Sequence, residues 1–217
     1  MFTFGDENCS HYLIPQGFEN NIYSRIRNII FFVITLSTDK DPTLSIDITP
    51  IVHLDFDEVK DQTVPDVSGH HNDAHLRPPV DIRMFSKSCE RGVRMNGGDV
   101  YFDGEFFVDK PRSEVTIAAW IKLFSNGGQH TIFSTTGGKN SAHKSGQYHL
   151  EVDRGKLRWF HRNEANQGLF NVSSPLMIPS HAWTHCAATY SSLTGKASVY
   201  INAKLAASVR YRLIDFL

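Results

Sequence analysis

Alternation between apolar and polar side chains is the strongest pattern in the chain, and a period of two predicts β-strands. The longest run covers residues 115–123, in which every second residue from Val115 to Leu123 is apolar. Shorter runs occur at 52–56 and 148–152. Each run therefore predicts a half-buried strand whose apolar side faces a shared core.

Turn-forming residues lie between the predicted strands. The segment 153–156, with Arg154-Gly155 at its centre, predicts a tight turn that leads from the run at 148–152 to an apolar segment at 157–160. The later elements follow in the same way: a strand at 183–190, a turn at 194–195, a strand at 197–201, a turn at 202–203 and a strand at 204–209. Short strands at this spacing, without a long amphipathic helix, predict an all-β sandwich or barrel.

The turn at Asn202-Ala203 departs from the sequence that two-residue hairpin loops prefer. A type I′ turn needs positive φ at both central residues, which favours Asn followed by Gly. Alanine at the second position costs on the order of 1 kcal/mol if that turn forms. The sequence therefore predicts either a strained turn or a different turn type.

Residues 1–50 lack this alternation and end in breaker residues, so we interpret them as a leader or linker, with the globular part at 51–217. The apolar run at 29–36 follows two arginines and has two interpretations, a signal sequence or a buried strand. No apolar stretch is long enough to predict a membrane-spanning helix.

Composition narrows the function without identifying it. The 217 residues are 41% hydrophobic, which is enough for one packed domain and an extra segment. The formal net charge of −1 gives no reason to expect nucleic acid as a partner. Local charged patches therefore matter more than the overall charge.

Five motifs, taken in order, resemble the laminin-G-like domains of the concanavalin A-like lectin and pentraxin superfamily. They lie at 53–57 with 66–74, at 92–97, at 114–121, at 183–190 and at 195–202. The resemblance implies a two-sheet antiparallel jelly-roll sandwich over 51–217. In the family further strands follow the equivalent of Val209, so we expect a domain that is incomplete at its C-terminal side.

The resemblance also implies a class of function. We expect a non-enzymatic recognition or adhesion module, extracellular or in the ectodomain of a cell-surface protein, that binds a glycan, a glycosaminoglycan or a protein. One alternative is an accessory or degenerate domain of a secreted glycan-active hydrolase. Glu151 and Asp153 share a strand face, as a retaining carboxylate pair requires, although Asp153 also fits the turn. Another is a structural remnant without independent function.

A basic stripe is the first candidate ligand site. Lys156, Arg158 and Arg162 fall on one face of the predicted strand, and Arg154 directly precedes them. Such a stripe favours sulfated or otherwise anionic glycan, bound through charge-assisted hydrogen bonds. The alternative is a solvated face whose charges block edge-to-edge aggregation.

The loop from Asp66 to Asp73 is the candidate metal site. Asp66, Asn72 and Asp73 supply the hard oxygen atoms that Ca²⁺ prefers, so calcium is the possible cofactor. The alternative is an Asx turn, in which these side chains bond their own backbone.

The cysteines and the N-glycosylation sequons bear on whether the chain is secreted. Cys89 and Cys186 either form one disulfide or serve as separate apolar residues, while Cys9 lies in the leader. Asn171-Val172-Ser173 has the form of an N-glycosylation acceptor, as does the segment 8–10. Both signals have meaning only in a secreted chain.

Overall fold

The computed structural model describes residues 2–3, 31–34, 50–78, 80–84, 91–95, 98–102, 114–135, 147–162 and 167–211. All regular secondary structure in these ranges is β-strand. These ranges contain no helix that is long and apolar enough to cross a membrane. The strands are β1 (Phe2–Thr3), β2 (Phe31–Ile34), β3 (His53–Leu54), β4 (Thr63–Val64), β5 (Ala74–Arg77), β6 (Val80–Met84), β7 (Arg91–Met95), β8 (Asp99–Tyr101), β9 (Glu114–Leu123), β10 (Gln129–Ser134), β11 (Gln147–Asp153), β12 (Lys156–Arg162), β13 (Gly168–Met177), β14 (Trp183–Ser191), β15 (Lys196–Ile201) and β16 (Lys204–Arg210).

The larger sheet is built around the two longest predicted strands. Its order is β16-β15-β14-β9-β2-β3, and β1 also pairs with β9. Strands β9 and β14 run antiparallel from the Lys122–Trp183 pair to the Glu114–Ser191 pair. This continuous pairing holds the alternating apolar side chains of β9 on one side of the sheet.

The smaller sheet has the order β10-β11-β12-β13, again antiparallel throughout. Strands β11 and β12 form a hairpin whose two loop residues, Arg154 and Gly155, have φ values of 48° and 81°. Positive φ at both positions is what a type I′ loop requires, so the turn predicted at 153–156 is confirmed. Two minor sheets, β4-β5-β8 and β6-β7, complete the pairings among the described residues.

The core lies between the two main sheets. Its fully buried side chains come from both, among them Ile117, Ile121, Leu150 and Trp159, each at 0% exposure. Each such side chain contributes about 1.5–3 kcal/mol to folding when it leaves water. The predicted all-β antiparallel jelly-roll sandwich is confirmed.

Part of the predicted leader contributes to the larger sheet. Strand β2 pairs with β9 and with β3, which is the strand interpretation of the apolar run at 29–36. Strand β1 pairs with Leu123 and its neighbour on β9. Most of residues 1–50 lie outside the described residues, so the domain boundary at residue 50 stays a prediction.

Candidate functional site

Strand β12 directs its side chains alternately to the core and away from it. Leu157 and Trp159 are completely buried between the sheets. Arg158, Phe160 and Arg162 alternate with them and lie on the outward face of the smaller sheet. The predicted placement of the arginines on one outward face is therefore correct.

A cavity of about 350 Å³ opens on this outward face, next to strand β13. Its size lies near the lower end of the range for small-molecule sites, about 300–1,000 Å³. Its lining consists of three cationic or imidazole side chains, two aromatic rings, an amide and a glycine: Arg158, Arg162, His161, Phe160, Phe170, Asn171 and Gly168. This combination offers apolar walls together with hydrogen-bond donors.

Phe160 organises the charged groups around it. The guanidinium carbons of Arg158 and Arg162 lie 4.6 Å and 5.4 Å from the centre of its ring. The His149 ring stacks on Phe160 with centroids 4.9 Å apart. The N–H groups of a guanidinium lie in one plane. Contact with the Phe160 ring fixes the orientation of that plane, and therefore the directions in which the arginines donate hydrogen bonds.

Arg158 also belongs to a network of polar contacts. Its Nη1 donates to Glu151 Oε1 at 3.0 Å, and its Nε donates to Asn171 Oδ1 at 3.0 Å. The Asp153 carboxylate is farther from Nη1, at 3.9 Å. Glu151 is nearly buried, with 5% of its side chain exposed, and its second oxygen lies 3.2 Å from His149 Nε2. Arg158 is thus partly a structural partner of a buried carboxylate.

The environment of Glu151 keeps it ionised. Burial raises its pKa, but the hydrogen bond from His149 and the charges of His149 and Arg158 outweigh burial and hold the pKa below its ordinary value. A retaining glycosidase needs one carboxyl of its pair protonated to act as the acid. Glu151 is therefore poorly suited to that role, although it shares a face with Asp153 as expected.

The structure divides the predicted basic stripe into two parts. Arg154 lies in the hairpin loop, where its backbone N–H donates to Gly128, and Lys156 is exposed opposite Met177. Six residues of strand separate Lys156 from Arg162, which amounts to roughly 20 Å. The cavity brings together Arg158 and Arg162 and does not include Arg154 or Lys156.

The loop at 66–73 uses its acidic residues to fold back on β3. Asp66 Oδ1 accepts from the backbone N–H groups of His53 and Ser68, at 2.8 Å and 3.0 Å. Asp66 Oδ2 accepts from the Ser68 hydroxyl at 2.7 Å and from the Asn72 N–H at 2.9 Å. Asp73 Oδ1 in turn accepts from the Asp66 N–H at 2.8 Å. This is the geometry of the Asx-turn alternative.

Metal binding finds little support in this geometry. Within the described ranges no three His, Cys, Asp or Glu side chains lie close enough together to hold an ion. The Asn72 amide is also engaged, since its Nδ2 donates to the carbonyl of Ile51 at 2.9 Å. Calcium binding by Asp66, Asn72 and Asp73 stays a prediction.

Cys186 and Asn171 have contrasting surroundings. Cys186 is a free thiol that is completely buried on β14, and burial raises its pKa well above the usual range. Cys186 packs in the core, and Cys89 lies outside the described residues, so a disulfide between the two stays a prediction. Asn171 is exposed on β13 and lines the cavity, in a position that an acceptor for glycan requires.

His161 and Phe170, on the inward side of the cavity lining, belong to a cluster of rings that sequence reasoning missed. His161 packs against Tyr148 and Phe170, with centroids 4.1 Å and 5.9 Å away. Burial lowers the pKa of His161 to about 4, and its Nδ1 has no hydrogen-bond partner among the residues that the structure describes. The signal was present in the sequence as the alternation of β12, which places His161 on the same side as Trp159.

The family model described as the concanavalin A-like lectin/glucanases superfamily matches residues 95–213, which is more than half of the chain. The match includes every strand that lines the cavity. No curated protein matches the sequence.

Solved structures with a similar fold include binding domains of toxins. The binding domain of Paraclostridial Mosquitocidal Protein 1 has a TM-score of 0.52 at 17% identity and covers 70% of this chain and 39% of its own. The binding domain of botulinum neurotoxin serotype G has a TM-score of 0.51 at 14% identity, with 68% of this chain and 36% of its own covered. A heptameric SAP-like pentraxin from Limulus polyphemus gives 0.34 at 23% identity, with 46% and 44% covered. The chain thus spans less than half the length of these proteins.

Proposed function

The chain belongs to the concanavalin A-like lectin/glucanase superfamily, and we propose that it is a non-catalytic extracellular recognition module for acidic glycans. The observation that carries the proposal is the outward cavity of the smaller sheet, where Arg158 and Arg162 stack on Phe160 beside Asn171. Ligand recognition by such a module depends on the residues presented by the scaffold rather than on the scaffold itself.

The charges at the cavity favour an anion. Arg158 and Arg162 bring two guanidinium groups to the cavity, and Glu151 pairs with Arg158. Arg154 and Lys156 add positive charge farther along the hairpin. A carboxylate or sulfate on the ligand complements this field and accepts planar, charge-assisted hydrogen bonds from a guanidinium.

Three further observations support a glycan outside the cell. The cavity walls combine aromatic faces with an amide and guanidinium groups, a mixture suited to sugar rings that carry hydroxyl and acidic groups. Two solved structures with this fold are binding domains. An exposed sequon at Asn171 is consistent with passage through a secretory compartment.

Loss of the Arg162 charge tests the proposal most directly. We expect Arg162→Gln to weaken binding of a heparin oligosaccharide by about ten- to a hundredfold, because one charge-assisted hydrogen bond contributes about 1.5–3 kcal/mol. Arg162 is preferred to Arg158 because removal of Arg158 leaves the buried Glu151 without its cation. Titration calorimetry at fixed ionic strength measures the change, with a neutral maltooligosaccharide as the non-acidic comparison.

Two lysine variants are matched controls that remove the same charge elsewhere. Lys156→Gln changes the stripe outside the cavity, and we expect a loss below about threefold, carried by long-range attraction alone. Lys204→Gln changes an exposed lysine at the start of β16, and we expect no effect. Equal affinities of wild type and Arg162→Gln for the heparin oligosaccharide would show that the cavity is not the ligand site.

A hydrolase is the second candidate, favoured by the presence of Glu151 and Asp153 on one face next to Arg158. Because both carboxylate oxygens of Glu151 are engaged by Arg158 and His149, we expect the purified protein to release no reducing sugar from β-glucan or glycosaminoglycan substrates. Hydrolysis that is present in the wild type and absent in Glu151→Gln would favour the hydrolase instead.

A further inference from the structure

Asn171 presents its side-chain nitrogen for modification. Asn171 and Ser173 are both exposed on the outward face of β13, two residues apart as an acceptor sequon requires. The Arg158 guanidinium has only donors, so the atom of Asn171 that faces its Nε at 3.0 Å is the oxygen. The Nδ2 atom, to which an N-glycan is attached, has no hydrogen-bond partner among the described residues.

A sugar on Asn171 starts at the rim of the cavity. The side chain of Asn171 is part of the lining, together with Arg158 and Arg162. The backbone N–H of Asn171 donates to the Tyr211 hydroxyl at 2.8 Å, which fixes this part of β13. A bulky group that grows from Nδ2 therefore has a defined origin beside the two guanidinium groups.

We infer that Asn171 is an N-glycosylation site whose glycan covers the cavity, so that a glycosylated chain and an unmodified chain differ in access to Arg158 and Arg162. The consequence for ligand binding rests on the proposed function. The glycosylation of Asn171 and the covering of the cavity by the glycan do not rest on the proposed function, because both follow from the position of Asn171.

The test compares wild type and Ser173→Ala, both as residues 1–217 secreted from mammalian cells behind a cleavable signal peptide. Ser173→Ala removes the sequon and keeps the Asn171 amide that Arg158 contacts. Peptide mapping by mass spectrometry locates the glycan, which separates Asn171 from the second sequon at Asn8. Reaction of Arg162 with phenylglyoxal, followed on its peptide, measures access to the cavity, and heparin oligosaccharide titration measures binding.

We expect glycan on Asn171 in the wild type, a several-fold slower reaction at Arg162 than in Ser173→Ala, and at least tenfold weaker heparin binding. An unmodified Asn171 in the secreted protein overturns the inference. Equal reaction rates at Arg162 in the two proteins overturn the covering role. A slower reaction at Arg162 in the wild type without heparin binding by Ser173→Ala leaves the cover intact and contradicts the proposed function instead.

Discussion

At the scale of single residues, backbone conformation at Asn202 and Ala203 shows a local cost that the fold tolerates. Their φ values are 48° and 61°, so the loop between β15 and β16 keeps the positive φ of a type I′ turn despite its alanine. The Asn202 side chain reinforces the loop, because its Oδ1 accepts from the His185 N–H at 3.0 Å. Pairing with the neighbouring strand thus outweighs the preference of alanine for negative φ.

We expect Ala203→Gly to raise the free energy of unfolding by about 0.5–1 kcal/mol, because glycine adopts positive φ without the steric penalty of a Cβ. Urea denaturation measures the change. Ala206→Gly, within β16, is the control and should lower stability, because it adds flexibility to the unfolded chain and removes a Cβ that packs against the core. A destabilised Ala203→Gly would show that the turn is not strained.

The role of Phe160 illustrates what local sequence does not reveal. In the sequence it follows Trp159 in an apolar segment and resembles another core residue. Its contact with His149 depends on the pairing of β12 with β11, which is set by the hairpin loop at Arg154-Gly155, whereas its contact with Arg158 lies within β12. Alternation places Arg158, Phe160 and Arg162 on one face, but the strand pairing that brings His149 onto the ring cannot be recognised from β12 alone.

At the scale of elements, β13 shows why half of the cavity escaped prediction. Its ten residues include Pro175 and only a weak alternation around Phe170 and Val172. Proline is compatible with an edge strand, and β13 lies at the edge of the smaller sheet. Strands β9, β14 and β15 were predictable because their apolar residues alternate, whereas β13 is defined by long-range pairing with β12.

The loop at 66–73 allows a prediction about stability. We expect Asp66→Ala to lower the free energy of unfolding by roughly 2–4 kcal/mol, because it leaves the backbone N–H groups of His53 and Asn72 without their acceptor. Urea denaturation measures this loss. Glu58→Ala, which removes an exposed carboxylate nearby, is the control and should stay within about 0.5 kcal/mol of the wild type.

A second measurement on the same loop distinguishes a structural turn from a calcium site. Both oxygens of Asp66 already accept two hydrogen bonds each, so we expect millimolar CaCl₂ to leave the melting temperature of the wild type unchanged. A rise in melting temperature with CaCl₂ that disappears in Asp66→Ala would instead support the ion, because a ligand that binds only the folded state stabilises it.

At the scale of the whole molecule, the sandwich was predictable and the site was only half predictable, for one physical reason. A strand can be recognised from the alternation in its own sequence, and a series of many such strands is compatible with few architectures. A cavity depends on which strands become neighbours and in which register. The basic stripe was therefore recognised as one feature, whereas the fold assigns Arg158 and Arg162 to the cavity and leaves Lys156 about 20 Å from Arg162.

The burial of two histidines also makes the whole molecule sensitive to acid. Burial lowers the pKa of both His161 and His185 from 6.5 to about 4, so both rings are neutral in the folded protein at pH 5. The unfolded chain binds these two protons near pH 6.5. The stability that these two groups contribute is therefore fully present above pH 6.5. It decreases as the pH drops from 6.5 to about 4 and does not change further below pH 4.

We expect His185→Phe to remove part of this acid sensitivity, since phenylalanine preserves the edge contact with Trp120 and cannot titrate. A shift of this size at His185 corresponds to about 3 kcal/mol between pH 6.5 and 4. Urea denaturation at several pH values gives the slope, which reports the difference in bound protons between the unfolded and folded states. The slope near pH 5.5 should approach two protons from these histidines in the wild type and one in His185→Phe. An unchanged slope in His185→Phe would mean that His185 is protonated in the folded molecule, and that the larger sheet is less tightly covered at β14 than its packing indicates.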